Sequence, residues 1–255
     1  MKLRLDKLLV ERGLAQSRER AQALVLAGKV LVNEQKVEKP GVNVADDAVL
    51  RLLGADIRYV SRGGLKLEAA LEHWHIDVRD RICMDVGAST GGFTDCLLQQ
   101  GAARVVAIDT GYGQLDYRLR QDSRVRLLEK TNARYLKSED LRERVELVAM
   151  DVSFISATLV LPPVLHAVIA ARAGEPPAGA IVLVKPQFEA GREHVGKGGI
   201  VRDAAAQEAA LEKVRACLTG LGAGATESRE SPILGAEGNR ESLLYAEFGS
   251  VLNVR

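Results

Sequence analysis

The run Ile82-Cys83-Met84-Asp85-Val86-Gly87-Ala88-Ser89-Thr90-Gly91-Gly92-Phe93-Thr94 constrains this chain more than any other segment. An apolar stretch ends in Asp85, a turn of glycines and small residues follows, and a helical segment begins near Thr94. A buried parallel strand hands over in this way to a loop that wraps a ligand. Small residues let the backbone approach the ligand closely, and glycine tolerates the positive φ such a turn needs. The loop does not fit the dinucleotide pattern G-x-G-x-x-G, and no Lys-Ser/Thr pair follows it as in a P-loop. Asp85, just ahead of the first glycine, would repel a pyrophosphate and suits a cationic or amino-bearing ligand. A second buried-strand run, Val105-Val106-Ala107-Ile108, ends in Asp109. That is where a ribose-binding carboxylate belongs in a Rossmann-like sheet.

The pattern D-x-G-x-x-x-G-G from Asp85 to Gly92 resembles motif I of the Rossmann-like S-adenosylmethionine (SAM) methyltransferases. The resemblance implies a cofactor site. Gly87, Ala88, Ser89 and Gly91, with Gly92 and Phe93, would line the loop around the amino-acid part of SAM. Asp85 would lie close to that part, Asp109 would accept from the ribose hydroxyls, and Asn132, in Thr131-Asn132-Ala133-Arg134, would stand near the adenine.

Composition narrows the classes. With 255 residues, 47% hydrophobic and 27% charged, the chain reads as a globular protein of one large domain or two. No apolar run is long enough to span a bilayer, and the charged start Met1-Lys2-Leu3-Arg4 has no signal-peptide core. Cys83, Cys96 and Cys217 are odd in number and widely spaced, which reads as reduced thiols in a cytoplasmic protein without a zinc site. His73 and His75 flank Trp74 with no third ligand in view, so they read as a helix end and not as a metal site. Residues 1–60 hold eleven Lys/Arg against eight Asp/Glu, whereas the remainder is slightly acidic. A basic front end suits contact with a polyanion.

The front end reads as a separate module, residues 1–58. Leu5, Leu8 and Leu9 recur at helical spacing up to Gly13, and Ser17 is an N-cap for a second helix carrying Ala21, Leu24 and Val25. Gly28 sits where a helix-ending left-handed glycine belongs, Val30–Val32 reads as a strand, and Asn33–Lys36 as a turn. The strings Leu5-Asp6-Lys7-Leu8-Leu9, Ser17-Arg18-Glu19-Arg20-Ala21 and Gly28-Lys29-Val30-Leu31-Val32-Asn33 resemble the S4 RNA-binding domain, a small α+β unit. On that resemblance Arg4, Lys7, Arg18, Arg20 and Lys29 are candidate RNA contacts.

Residues 59–64, ending in Gly63-Gly64, read as a hinge able to bring Lys66 into a site. From residue 65 to 255 strand and helix signals alternate. A helix is expected over Leu65–Trp74, and strands over Ile82–Val86, Val105–Asp109, Val125–Leu128, Val145–Met150, Ala180–Val184 and Ser242–Phe248. A helix after Ser153 is expected to be interrupted at Pro162-Pro163, and another covers Ala204–Leu221. The order implies an α/β domain with a doubly wound, mostly parallel sheet, which binds ligands at the carboxyl ends of its strands.

Four charged residues would converge there. Asp151 and Lys185 end strands, Lys66 follows the paired glycines, and Glu241 precedes the last strand. With their surrounding strings they resemble the K-D-K-E set of the FtsJ-like ribose 2′-O-methyltransferases. Those strings are Ser61–Leu67, Asp151-Val152-Ser153-Phe154-Ile155-Ser156, Val184-Lys185-Pro186-Gln187-Phe188-Glu189, Gly196–Gly199, Ser231–Gly235 and Gly238-Asn239-Arg240-Glu241. With the S4-like module in front, the whole chain resembles the TlyA (haemolysin A) family of rRNA 2′-O-methyltransferases.

The resemblance implies SAM-dependent methylation of a ribose 2′-hydroxyl, usually of a cytidine, with ribosomal RNA or its subunits as partner. Lys185 would act on the hydroxyl, Asp151 would orient Lys185, and Lys66 and Glu241 would hold the arrangement. Gly191–Gly199 would be a loop able to cover a nucleotide. Three other readings compete: an RNA-binding assembly factor with a vestigial cleft, a membrane-acting haemolysin, and a methyltransferase of small molecules or proteins, which the S4-like module disfavours. The four charged residues argue against the first, and the absence of a signal peptide or spanning segment against the second.

Overall fold

The computed structural model describes residues 2–15, 17–53, 58–235 and 238–248. The stretch 54–57, near the expected end of the first module, and the tail 249–255 lie outside the described residues. The chain divides into two compact units, Met1–Ile57 and Arg58–Arg255.

In the first unit β1 (Lys2–Arg4) runs into α1 (Leu5–Glu11), and α2 (Arg18–Leu26) follows. Strands β2 (Val30–Val32), β3 (Gln35–Lys36), β4 (Asn43–Ala45) and β5 (Leu50–Leu52) complete it. Ser17 caps α2 by accepting from the Arg20 amide at 3.2 Å, and Gly28 closes the segment at φ +65°. Strands β2 and β3 turn through Asn33 and Glu34, both at positive φ, which gives the twist of a two-residue hairpin. Leu5, Leu8, Leu9, Ala21, Leu24, Val25 and Val30 form the core. Each large aliphatic buried there contributes about 1.5–3 kcal/mol.

The second unit opens with α3 (Gly63–His73), followed by β6 (Ile82–Val86), α4 (Gly92–Gln99), β7 (Arg104–Ile108), α5 (Tyr117–Gln121) and β8 (Val125–Leu128). Then come β9 (Leu147–Met150), α6 (Ala157–Ala171), β10 (Gly179–Val184), α7 (Pro186–Glu189), α8 (Ala204–Gly220), β11 (Ala225–Glu230) and β12 (Ser242–Glu247). The seven strands form one sheet in the order β11-β12-β10-β9-β6-β7-β8. Strands β10, β9, β6, β7 and β8 are parallel, and β12 and β11 add an antiparallel edge. Alternation along each strand sends Met84, Val106, Val148 and Val182 to the face covered by α6 and α8. Asp85, one position on from Met84, therefore faces the other way, toward α4.

Three expectations are corrected. Residues 59–64 are packed into the second unit: Tyr59 is buried and donates to Glu68 at 2.7 Å, and the Val60 amide donates to Asp95 at 2.8 Å. Gly63 and Gly64 open α3, and a Cβ on Gly64 would lie 2.3 Å from the Tyr59 ring. Gly64 therefore serves close packing against Tyr59, within a segment held to the second unit. Second, α6 runs unbroken through Pro162 and Pro163 and is capped by Ser156 instead of Ser153. Pro162 removes the helical donor of the Thr158 carbonyl, which takes the Cys217 thiol at 3.9 Å instead. Third, β11 was not expected, because Ala-Thr-Glu-Ser-Arg-Glu carries no apolar alternation; its ladder with β12 makes it a strand.

Candidate active site

The loop after β6 is shaped by what a side chain would strike. Gly87 has φ +90°, and a Cβ there would lie 2.4 Å from the Asp151 carbonyl oxygen. Only glycine lets the loop pass the end of β9 so closely. The Ser89 amide donates to Asp109 Oδ2 at 2.7 Å, and the Gly111 amide to Asp109 Oδ1 at 2.6 Å. A Cβ on Gly92 would meet Ser61 Oγ at 2.2 Å, so the starts of α3 and α4 lie against each other.

A cavity of about 610 Å³ opens over this loop, lined by Gly87, Ala88, Ser89, Thr90, Gly92 and Phe93 among others. Gly91 is not in the lining. At φ +98° it caps α4, and a Cβ there would strike Leu119 at 2.3 Å and Leu115 at 2.8 Å. A side chain at this position would point behind the loop.

Asp85 is fully buried in the cavity wall. Its Oδ2 accepts from the Thr94 amide at 2.9 Å and the Thr94 hydroxyl at 2.7 Å, while Oδ1 has no partner among the described residues. Burial, reinforced by the negative Asp151 and Asp109, pushes its carboxyl up to about 7. Gln187 Oε1, also of a lining residue, is a second buried oxygen without a partner among the described residues.

The four charged residues all line this cavity and form two pairs. Lys66 Nζ, from α3, meets Glu241 Oε2 at 2.5 Å, with both side chains at least nine-tenths buried. Gly235 makes room for it, since a Cβ there would fall 2.0 Å from Glu241 Oε1. Lys185 Nζ, just beyond β10, stands 2.6 Å from Asp151 Oδ1, just beyond the adjacent β9. The same ammonium donates to Ser153 Oγ at 2.7 Å. At this distance Coulomb attraction binds Lys185 to Asp151 strongly.

A second cavity of about 400 Å³ shares Gly87, Ser89, Asp151, Ser153 and Phe154 with the first. Asp109 and Asn132 line it. Asn132 also caps a short 3-10 turn by accepting from the Arg134 amide at 3.1 Å. The two cavities suit the two halves of SAM. A carboxylate that accepts two amides keeps lone pairs for ribose hydroxyls, and the unpartnered Asp85 oxygen leaves an acceptor in the wall of the first cavity.

Several lining residues were not singled out from the sequence. Ser61 and Arg62 join from the start of α3. Phe154 is 92% exposed at φ +65° and touches Phe188, with ring centroids 5.5 Å apart. Asn239 is buried, accepts from the Val201 amide at 3.0 Å and donates to the Gly199 carbonyl at 2.8 Å. It thereby ties the expected covering loop to the Glu241 segment. All lie inside the quoted strings, but no local pattern marks them out.

In the first unit Arg4 and Arg18 gather on the buried Asp6, at 2.9 and 3.0 Å from its Oδ2. The Gln22 amide donates to the same oxygen at 2.8 Å. Lys7 is exposed, whereas Arg20 and Lys29 are half-buried. Among the described residues no helix is long and apolar enough to cross a membrane, and no cluster of three His, Cys, Asp or Glu could hold a metal.

Comparison with known proteins fits this geometry. The FtsJ-like methyltransferase family matches residues 59–248, and the S4 domain matches residues 3–50. The 16S/23S rRNA (cytidine-2′-O)-methyltransferase TlyA of Mycobacterium tuberculosis is 45% identical over 243 residues, covering 95% of this chain and 88% of the relative. Hemolysin A of Brachyspira hyodysenteriae is 40% identical over 244 residues, covering 95% and 99%. A solved structure from Streptococcus thermophilus is 43% identical with a TM-score of 0.72, covering 98% of this chain and 90% of that one.

Proposed function

The chain belongs to the FtsJ-like methyltransferase family, and on that premise we propose that it methylates the ribose 2′-hydroxyl of a cytidine in ribosomal RNA, using SAM. The observation that carries the reading is the convergence of two lysine–carboxylate pairs in one cavity above the glycine loop. The TlyA relative, named for this reaction, supports the choice of substrate.

SAM, when bound, supplies an electrophilic methyl group on a sulfonium. Asp85 Oδ1 would accept from its amino group, Asp109 from its ribose hydroxyls, and Asn132 would flank its adenine. Lys185 Nζ would hold the 2′-oxygen in line behind the methyl carbon and stabilise the charge that develops there. Lys185 Nζ would take the hydroxyl proton, and the Asp151 carboxylate beside it would stabilise the ammonium so formed. Lys66, held by Glu241, would anchor the ribose from the opposite wall. Phe154 offers its exposed face to an unstacked base. Arg4, Lys7, Arg18, Arg20 and Lys29 would contact phosphates, which position the RNA without reading its sequence.

The test is incubation with methyl-labelled SAM and separated ribosomal subunits, beside a Lys185→Ala control, with the product mapped by mass spectrometry. A 2′-O-methylcytidine formed by the parent and absent with the control is expected. SAM binding without transfer to either subunit would overturn the substrate, and no SAM binding would overturn the activity.

A further inference from the structure

We propose that Glu189 is a positioning residue for the reacting groups: its buried carboxylate fastens the loop that carries Asp151, Ser153 and Phe154 to the turn that carries Lys185. This rests on the roles proposed above for Asp151 and Lys185. The parallel ladder between β9 and β10 has its last paired register at Met150 and Val182, and both reacting residues lie beyond it. The sheet holds their backbones through β6 and β12, where the Asp151 amide donates to the Val86 carbonyl and Val184 pairs with Ser242, and the segments after the strands fix what lies beyond. Glu189 ends α7, the single turn that starts directly after Lys185. Its Oε1 accepts from the Ala157 amide at 2.5 Å, and its Oε2 from the Ser156 hydroxyl at 2.5 Å. Both donors stand at the start of α6, where the Asp151–Ser156 loop ends, and a carboxylate suits the positive end of a helix.

The fastening is enclosed. Glu189 is only 6% exposed, and Lys213 on α8 closes it from outside, with Nζ 3.5 Å from Oε2 and donating to the Glu189 carbonyl at 3.0 Å. The loop it holds contains Phe154 at φ +65°, a conformation a bulky residue keeps only when its surroundings impose it. Phe154 and Phe188 make ring contact across the same junction. Glu189 reaches neither cavity lining, so it acts through the groups it holds.

The test compares Glu189→Ala and Glu189→Gln in the full chain by single-turnover methyl transfer, SAM affinity and amide exchange. Loss of the fastening should slow transfer by about 10- to 100-fold, the cost of a small misplacement of reacting groups. SAM affinity should stay within about threefold, because Asp85 and Asp109 are untouched. Gln keeps an oxygen for the Ala157 amide and should recover most of the rate. In Glu189→Ala the Ala157 amide should exchange faster while those of β9 and β10 do not. A folded Glu189→Ala protein with unchanged rate or unchanged exchange at Ala157, or a Gln variant as slow as Ala, would overturn the inference. If Glu189→Ala does not fold, Ser156→Ala removes one donor to the same carboxylate, and an unchanged rate there would overturn it equally. An inactive parent protein would instead overturn the proposed function, leaving the exchange measurement to decide on the fastening.

Discussion

Lys66 and Glu241 lie 175 positions apart in the chain and meet with 2.5 Å between Nζ and Oε2. The contact joins the start of α3 to the entrance of β12, with both side chains withdrawn from water. A buried ion pair of this kind gains little net stability, but losing one partner leaves an uncompensated charge.

Glu241→Ala should therefore destabilise the second unit by about 3 kcal/mol, and it should abolish methyl transfer. The double variant Lys66→Met with Glu241→Leu should recover most of the stability and none of the activity. Thermal unfolding beside a transfer assay separates the two effects. An active double variant would remove the pair from the chemistry.

Asp85 should make both stability and cofactor binding depend on pH. Its folded value of about 7 lies above the ordinary carboxylate range. The folded state thus keeps a proton that the unfolded state has lost, and stability falls as pH rises from about 4 to about 7. Asp85→Asn should be more stable than the parent at pH 8, by about 2–4 kcal/mol, seen as a higher unfolding temperature. SAM should bind the parent more tightly as pH rises through about 7, where the carboxylate ionises, and calorimetry at several pH values would show it. A flat profile would mean that Asp85 does not receive the amino group.

Gly87→Ala and Gly91→Ala should fail differently. At Gly87 the new methyl meets the Asp151 backbone, so the loop and the end of β9 must separate and SAM binding should fall at least tenfold. At Gly91 it meets Leu119 and Leu115 side chains behind the loop. That change should cost about 1–3 kcal/mol of stability, and the remaining folded protein should bind SAM within about threefold. Equal loss of binding in both would return Gly91 to the ligand contacts.

Asp6→Asn should weaken RNA binding without touching SAM binding. Arg4 and Gln22 hold the Asp6 carboxyl well below its usual range despite burial, so its stabilising effect is present above pH 4 and is lost as the pH falls toward that depressed value. With the charge removed, Arg4 and Arg18 lose the anchor that holds them side by side. Filter binding of ribosomal RNA at several salt concentrations should show lower affinity and a shallower salt slope. An unchanged slope would mean the two guanidiniums meet no phosphate.

The elements most legible beforehand are those written in local chemistry. Strands β6 and β8 fall on the expected residues, and Ser17, Gly13 and Gly28 punctuate the first two helices as read. An apolar run bounded by turn residues acts within its own few residues, so no distant contact is needed to read it. Edge strand β11 was hidden because its own residues are polar and its ladder partner lies a dozen or more residues on. The passage of α6 through Pro162 and Pro163 was hidden because neighbours on α8 and the sheet make a helix with two missing hydrogen bonds worth forming.

The same division holds for the site. The amino-acid sequence alone pointed to the Asp85–Gly92 loop and the acid at Asp109 through strand-and-turn patterns, and to the four charged residues through the strings that resemble the FtsJ-like family. The tertiary structure decided that Lys66 pairs with Glu241 and Lys185 with Asp151, that a side chain at Gly91 would meet Leu115 and Leu119, and that Gly64 packs against Tyr59. Pairing and facing depend on where distant segments of the chain are brought together, and coulombic and steric forces act over ångströms in space regardless of separation in sequence.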